Sequence, residues 1–188
     1  MTLLRRGFKA WCERAAVGYR RDLDLGPDSP LDPRKLAQHL SITIWAPDQI
    51  SGLDAEVVRH LLEVDVESWS AVTLSVGSRI VIISNKSHSV TRQNSNLAHE
   101  MAHIILKHPP NQMFVTANGK MMMRHYNAVH EEEAGCLSGA LLVPRGALLA
   151  RLSRGASDAE IACYFDVSLE LLKMRKNVTG VIYQLGRR

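Results

Sequence analysis

The chain has 188 residues, 46% of them hydrophobic and 22% charged, with a formal charge of +4 and a pI near 9.1. That profile suits one globular core with a small appendage. It excludes a membrane-spanning chain, since no apolar run approaches the roughly 18 residues a span needs, and the mild charge reads first as a solvated surface rather than a nucleic-acid face.

The N-terminal MTLLRRGFKAWCERAA is basic and then apolar, with no secretory h-region or small-residue cleavage site. It reads as an amphipathic helix over residues 3–21, with Leu4, Phe8, Trp11, Ala15 and Tyr19 on one face. The three cysteines, Cys12, Cys136 and Cys163, are far apart and form no CxxC pair. Free thiols of that kind fit a reducing, cytoplasmic setting. GPDSPLDP is a proline-rich loop, after which Asp32 caps a short helix with Pro33 at its first position. SITIW (41–45) alternates as a strand, and a third helix fills 53–64.

SAVTLSVGSRIVIISN is the clearest β signal, a hairpin with strands near 70–76 and 79–84 around Gly77-Ser78. A helix over about 92–107 follows, with Asn94 or Ser95 near its start and Pro109-Pro110 stopping it. Residues 111–128 hold loops or a short strand, 131–144 form a strong helix, and the tail is helical again. Trp11, Trp45 and Trp69 are expected in the core, Met121–Met123 as soft filler, and Cys136 as packing. The order predicts an α+β fold: a small antiparallel sheet packed with helices around the 92–107 helix, plus a helix-turn-helix-like tail. The expected division is a domain over 1–148 and a tail over 149–188.

The 92–107 helix carries HEMAH at 99–103. Positions i and i+4 share one helix face, so His99 and His103 can aim ring nitrogens at one metal ion. Glu100 is rotated by one residue and stands beside that ion, where its carboxylate can take a proton from metal-activated water. With this composition a shuffled chain yields HExxH about one or two times in a hundred, so the motif needs support. Support comes from Leu97, Ala98, Ala102, Ile104, Ile105 and Leu106, which make the helix apolar almost all round. Histidines and a glutamate buried there are costly unless paired or metal-bound.

A catalytic zinc takes a third protein ligand and keeps one open position. The metzincin spacing fails, because Leu106 and Pro109 stand where Gly and His are required. His108 reads as a helix-terminal or surface histidine. The remaining cluster is Glu131-Glu132-Glu133, whose members are about 100° apart on a helix and cannot all face one metal. With Ala134, Leu137 or Ser138, and Leu141 as the buried face, Glu131 extends that face by one turn and is the preferred ligand. Glu132 points to solvent, and Glu133 shares a second buried line with Leu137 and Ala140.

HEMAHIILKH, followed about 25 residues later by EEEAGCLSGALLVP, resembles the ImmA/IrrE family of HExxH metallopeptidases over roughly 70–145. Gly135 stands where that family often has Asn or Asp, and Leu137 where it often has Phe. The resemblance implies His99, His103 and Glu131 as zinc ligands and Glu100 as general base. It also implies a cytoplasmic zinc endopeptidase that cleaves a helix-turn-helix repressor or an antitoxin-like partner and so regulates transcription.

The tail SDAEIACYFDVSLELLKMRKNVTG reads as two helices capped by Ser157 and Ser168, with Asp166 at the turn. As a DNA-binding unit it would place Lys173, Arg175 and Lys176 on a major groove. Leu169, Leu171, Leu172 and Met174 make that helix unusually apolar, so a corner closing the core or holding a protein partner is preferred. The alternative function is a DNA- or partner-binding regulator in which the metal is structural or sensory.

Overall fold

The structure is a computed structural model, and the residues described are 3–77, 79–109, 112–115, 121–124 and 127–186. Helix α1 (Phe8–Asp22) buries Phe8, Cys12, Ala16 and Arg20, each four residues from the last. The buried line thus lies one position on from the predicted face. The small Cys12 and Ala16 allow close approach to α5 (Ala128–Leu142), whereas Trp11 is exposed and stacks on Phe8. Trp45 is also exposed. Trp69 is half-buried, and its indole N–H donates to the Leu61 carbonyl at 2.9 Å. Two of the three tryptophans therefore depart from the core placement expected of them.

Helix α2 (Pro33–His39) starts as predicted, with Asp32 accepting from the Arg34 N–H at 2.8 Å. Strand β1 (Ile42–Trp45) follows, and α3 (Ala55–Arg59) runs into a wider π turn at His60–Val64. The hairpin forms as β2 (Ala71–Val76) and β3 (Arg79–Ser84), paired antiparallel with Val76 opposite Arg79. Gly77 sits in the turn at φ +61°, where a side chain would be strained. Strand β1 adds to β3 in parallel, so the order is β1-β3-β2 and the small sheet is mixed rather than purely antiparallel.

Helix α4 (Val90–Ile105) begins at the Ser89 cap, earlier than the sequence suggested. Asn94 falls inside the helix, where it is buried and bonded to Arg34 and Asp166. Strands β4 (Gln112–Val115) and β5 (Met121–Arg124) pair antiparallel. His125 and Tyr126 lie outside the described residues. Helix α5 is capped by the Asn127 side chain, and α6 (Arg145–Ser153), α7 (Asp158–Phe165), α8 (Leu169–Thr179) and α9 (Val181–Leu185) complete the chain.

The fold is α+β. One core joins α1, α2, the sheet, α4 and α5 through Phe8, Leu36, Ile82, Leu97, Met101 and Leu137. A second joins Ala98 and the end of α5 to the tail through Leu142, Leu148, Ile161, Phe165 and Leu172. Among the described residues no single helix is long and apolar enough to cross a membrane.

Candidate metal centre

Helix α4 buries Leu97, Ala98, Met101 and Ala102. The next positions round the helix, His99 and His103, therefore emerge at the edge of its contact with α5. Helix α5 answers with Ala134, Leu137, Ser138 and Leu141 buried, and Glu131 one turn earlier faces the histidines. His99 Nε2 lies 3.1 Å from Glu131 Oε2 and 3.1 Å from His103 Nε2, and His103 Nε2 lies 3.5 Å from Glu131 Oε1. Ligand atoms bound tetrahedrally at about 2.0–2.1 Å stand roughly 3.3 Å apart. Two imidazole nitrogens and a carboxylate oxygen at the observed spacings thus fit a divalent metal such as zinc. Their side chains are 33%, 20% and 30% exposed for His99, His103 and Glu131, so the point where they converge is open to solvent. The His103 pKa is lowered to about 4, first by burial and then by His99 beside it. At neutral pH the ring keeps the lone pair that a ligand needs.

Glu100 does not join this triad. Its Oε2 accepts a short hydrogen bond from the Thr73 hydroxyl on β2. Burial raises its pKa, and the Thr73 hydrogen bond opposes that rise. Thr73 was missed by sequence reasoning. It is one β-branched residue among several in a strand, and only the packing of β2 on α4 brings it to Glu100.

The other two glutamates of the cluster diverge, as three adjacent helical positions must. Glu132 accepts from the Leu3 backbone N–H at 2.7 Å. Glu133 is 15% exposed and lies 3.1 Å from His108 Nε2. His108 corrects the surface reading: its side chain is only 6% exposed, and its Nδ1 lies 2.9 Å from His103 Nδ1. The cause is local. Helix α4 ends in a Schellman turn in which the Lys107 N–H donates to Ile104 O and the His108 N–H to His103 O, both at 3.0 Å. That turn needs the left-handed conformation at Lys107, which has φ +56°. The chain doubles back, and His108 tucks beneath His103 instead of leaving along the helix axis.

The tail forms the two capped helices expected, with Asp166 left-handed at the turn (φ +51°). Arg175, one of the cations considered for DNA, is buried instead. Its guanidinium donates to Val143 O at 2.9 Å and to Glu13 Oε1 at 2.6 Å. Lys176 pairs with Asp158 at 2.8 Å, and Lys173 is exposed.

A family model described as Peptidase_M78, IrrE N-terminal-like domain, matches residues 56–177, well over half of the chain. No curated protein and no solved structure matches it.

Proposed function

The chain belongs to the IrrE N-terminal-like peptidase family, and from that premise we propose that it is a zinc-dependent regulatory endopeptidase. In this reading His99, His103 and Glu131 hold the metal and Glu100 is the general base. The single observation that carries it is the convergence of three ligand atoms within 3.1–3.5 Å, with the carboxylate of Glu100 on the adjoining position of the same helix. Zinc held there would polarise a peptide carbonyl and acidify water. Glu100 takes the proton from the attacking water and delivers it to the leaving amine. Thr73 holds one carboxylate oxygen of Glu100, which leaves the other for that transfer. Among the described residues β2 pairs with β3 alone, so an extended peptide laid along the opposite edge of β2 would pass Glu100.

The substrate class is a helix-turn-helix repressor or antitoxin-like partner, cut in the cytoplasm. Support for a single-partner enzyme is the family membership together with a tail whose cations are largely occupied. The alternative, a DNA-binding regulator, loses Arg175 to the core and Lys176 to an ion pair. The test is metal content by elemental analysis of the wild type, Glu131→Ala and Glu133→Ala, followed by co-expression with candidate helix-turn-helix repressors. About one zinc per chain, lost in Glu131→Ala, and repressor fragments that Glu100→Gln does not yield, are the expected results. A wild type that takes up no zinc on reconstitution ends the peptidase reading.

A further inference from the structure

Three side chains form a continuous line behind the metal centre: Glu133, His108 and His103. Each contact joins one ring nitrogen to one partner, and the line ends on a carboxylate. A carboxylate can only accept, so the proton between Glu133 and His108 belongs to His108 Nε2. A neutral imidazole carries one N–H, which leaves His108 Nδ1 as an acceptor. The proton of the 2.9 Å contact between the two Nδ1 atoms must then sit on His103. With its proton on Nδ1, His103 presents a bare lone pair at Nε2, the atom that faces His99 and Glu131.

We propose that Glu133 and His108 are positioning residues for His103, a carboxylate–imidazole relay that fixes both its tautomer and its ring orientation for metal binding. The proposal rests on the metal reading of His99, His103 and Glu131. A ligating histidine commonly donates its second N–H to a carboxylate or carbonyl directly; here a second imidazole is interposed. Two further contacts hold that imidazole in place. The Schellman turn fixes its backbone one residue beyond Lys107. His130, from the first turn of α5, stacks on its face with centroids 4.2 Å apart and planes 13° apart. The relay also separates the roles of neighbouring acids. Glu131 meets the metal, and Glu133, two residues on, meets the ring behind it.

The test reads the protons directly. Long-range proton–nitrogen correlation spectra of the metal-free full-length chain, at about pH 7.5 where an ordinary imidazole is neutral, report which nitrogen of each ring is protonated. Zinc affinity is measured beside this by chelator competition on wild type, His108→Ala and Glu133→Ala, with circular dichroism to verify folding. The expected result is Nδ1–H on His103 and Nε2–H on His108 in the wild type, and zinc bound about 10–100-fold more weakly by both variants. A wild-type His103 protonated on Nε2 would overturn the relay, and needs no variant to fold. So would unchanged zinc affinity in both folded variants. Wild-type protein that shows the expected protons yet binds no zinc supports the ordering of the relay and removes the metal reading instead.

Discussion

The two ends of α5 carry opposite charges to opposite purposes. At the N-terminal end three consecutive glutamates reach partners on other segments, and the two histidines that Glu131 meets are partly open to solvent. At the C-terminal end the last carbonyls, which have no partners within the helix, are held by two fully buried arginines. Arg20 donates to Leu141 O at 2.8 Å and Arg175 to Val143 O at 2.9 Å. Both arrangements suit the helix dipole, acids at the positive end and cations at the negative end. They differ in solvent. The buried end is closed, its donors distributed among carbonyls and Glu13, and it anchors α5 to α1 and the tail. The open end keeps the Glu131 oxygens directed at the two histidines, at a point that solvent can reach. A rigid far end lets the near end hold its geometry without being filled by packing.

The largest effect comes from removing the anchor. Arg175→Ala strands the buried Val143 carbonyl, removes one of the two hydrogen bonds to the Glu13 carboxylate and opens a cavity beneath α8. About 3–5 kcal/mol of stability is lost, read as a lower midpoint in urea. Arg20→Ala acts in the same range. Burial lowers the Arg20 pKa to about 10, so its guanidinium stays protonated and donating at neutral pH. Chelator competition on the remaining folded fraction gives wild-type metal affinity if the two ends are independent. A loss below about 1 kcal/mol in both variants would remove the contrast.

At the open end the expected result is the reverse. Glu100→Gln leaves both histidines in place and keeps an oxygen for the Thr73 hydroxyl. Cleavage of the partner falls by about 10²–10⁴-fold. Metal content stays at the wild-type value and the urea midpoint does not fall, because a neutral amide of the same shape replaces a carboxylate whose charge burial disfavours. Cleavage that survives this change would take the base away from Glu100.

The open end was the more legible of the two. HEMAH and the i, i+4 rule place His99 and His103, and the buried periodicity of 134–141 places Glu131. The hairpin and both tail helices also follow from local signals, since turn residues and caps act within a few positions. What escaped depends on distant or unusual backbone. Arg20 and Arg175 lie among charges that read as surface, and nothing local says that α5 ends between them. His108 escaped because a Schellman turn is normally announced by glycine, and here Lys107 adopts the left-handed conformation. Thr73 required the sheet to be packed on α4. Trp11 gave its place to Cys12 and Ala16 because helix approach favours small residues over large ones.

Metal binding couples the open end to the stability of the whole fold. Zinc at a hundred times its dissociation constant stabilises the fold by about 2.7 kcal/mol, which raises the unfolding temperature of a chain this size by about 5–10 °C. A chelator reverses the rise, and Glu131→Ala shows none. Arg175→Ala starts from a lower temperature and shows the same rise. A zinc-dependent shift that persists in Glu131→Ala would place the metal elsewhere.

The finest test uses two glycines one turn apart on α5. A Cβ on Gly139 would meet Arg175 Cδ at 2.8 Å, closer than carbon atoms approach. Arg175 cannot swing aside without releasing Val143 O and Glu13, so Gly139→Ala costs about 1–3 kcal/mol. A Cβ on Gly135 would meet nothing within 4 Å. There the only term is helix propensity, and Gly135→Ala adds about 1 kcal/mol of stability. The pair isolates the anchor from the helix itself, since both changes are the same chemistry on the same element. Thermal unfolding that moves down for Gly139→Ala and up for Gly135→Ala identifies the close seat of Arg175 as the difference. If both move up together, Arg175 yields freely, and the closed end of α5 is looser than its hydrogen bonds imply.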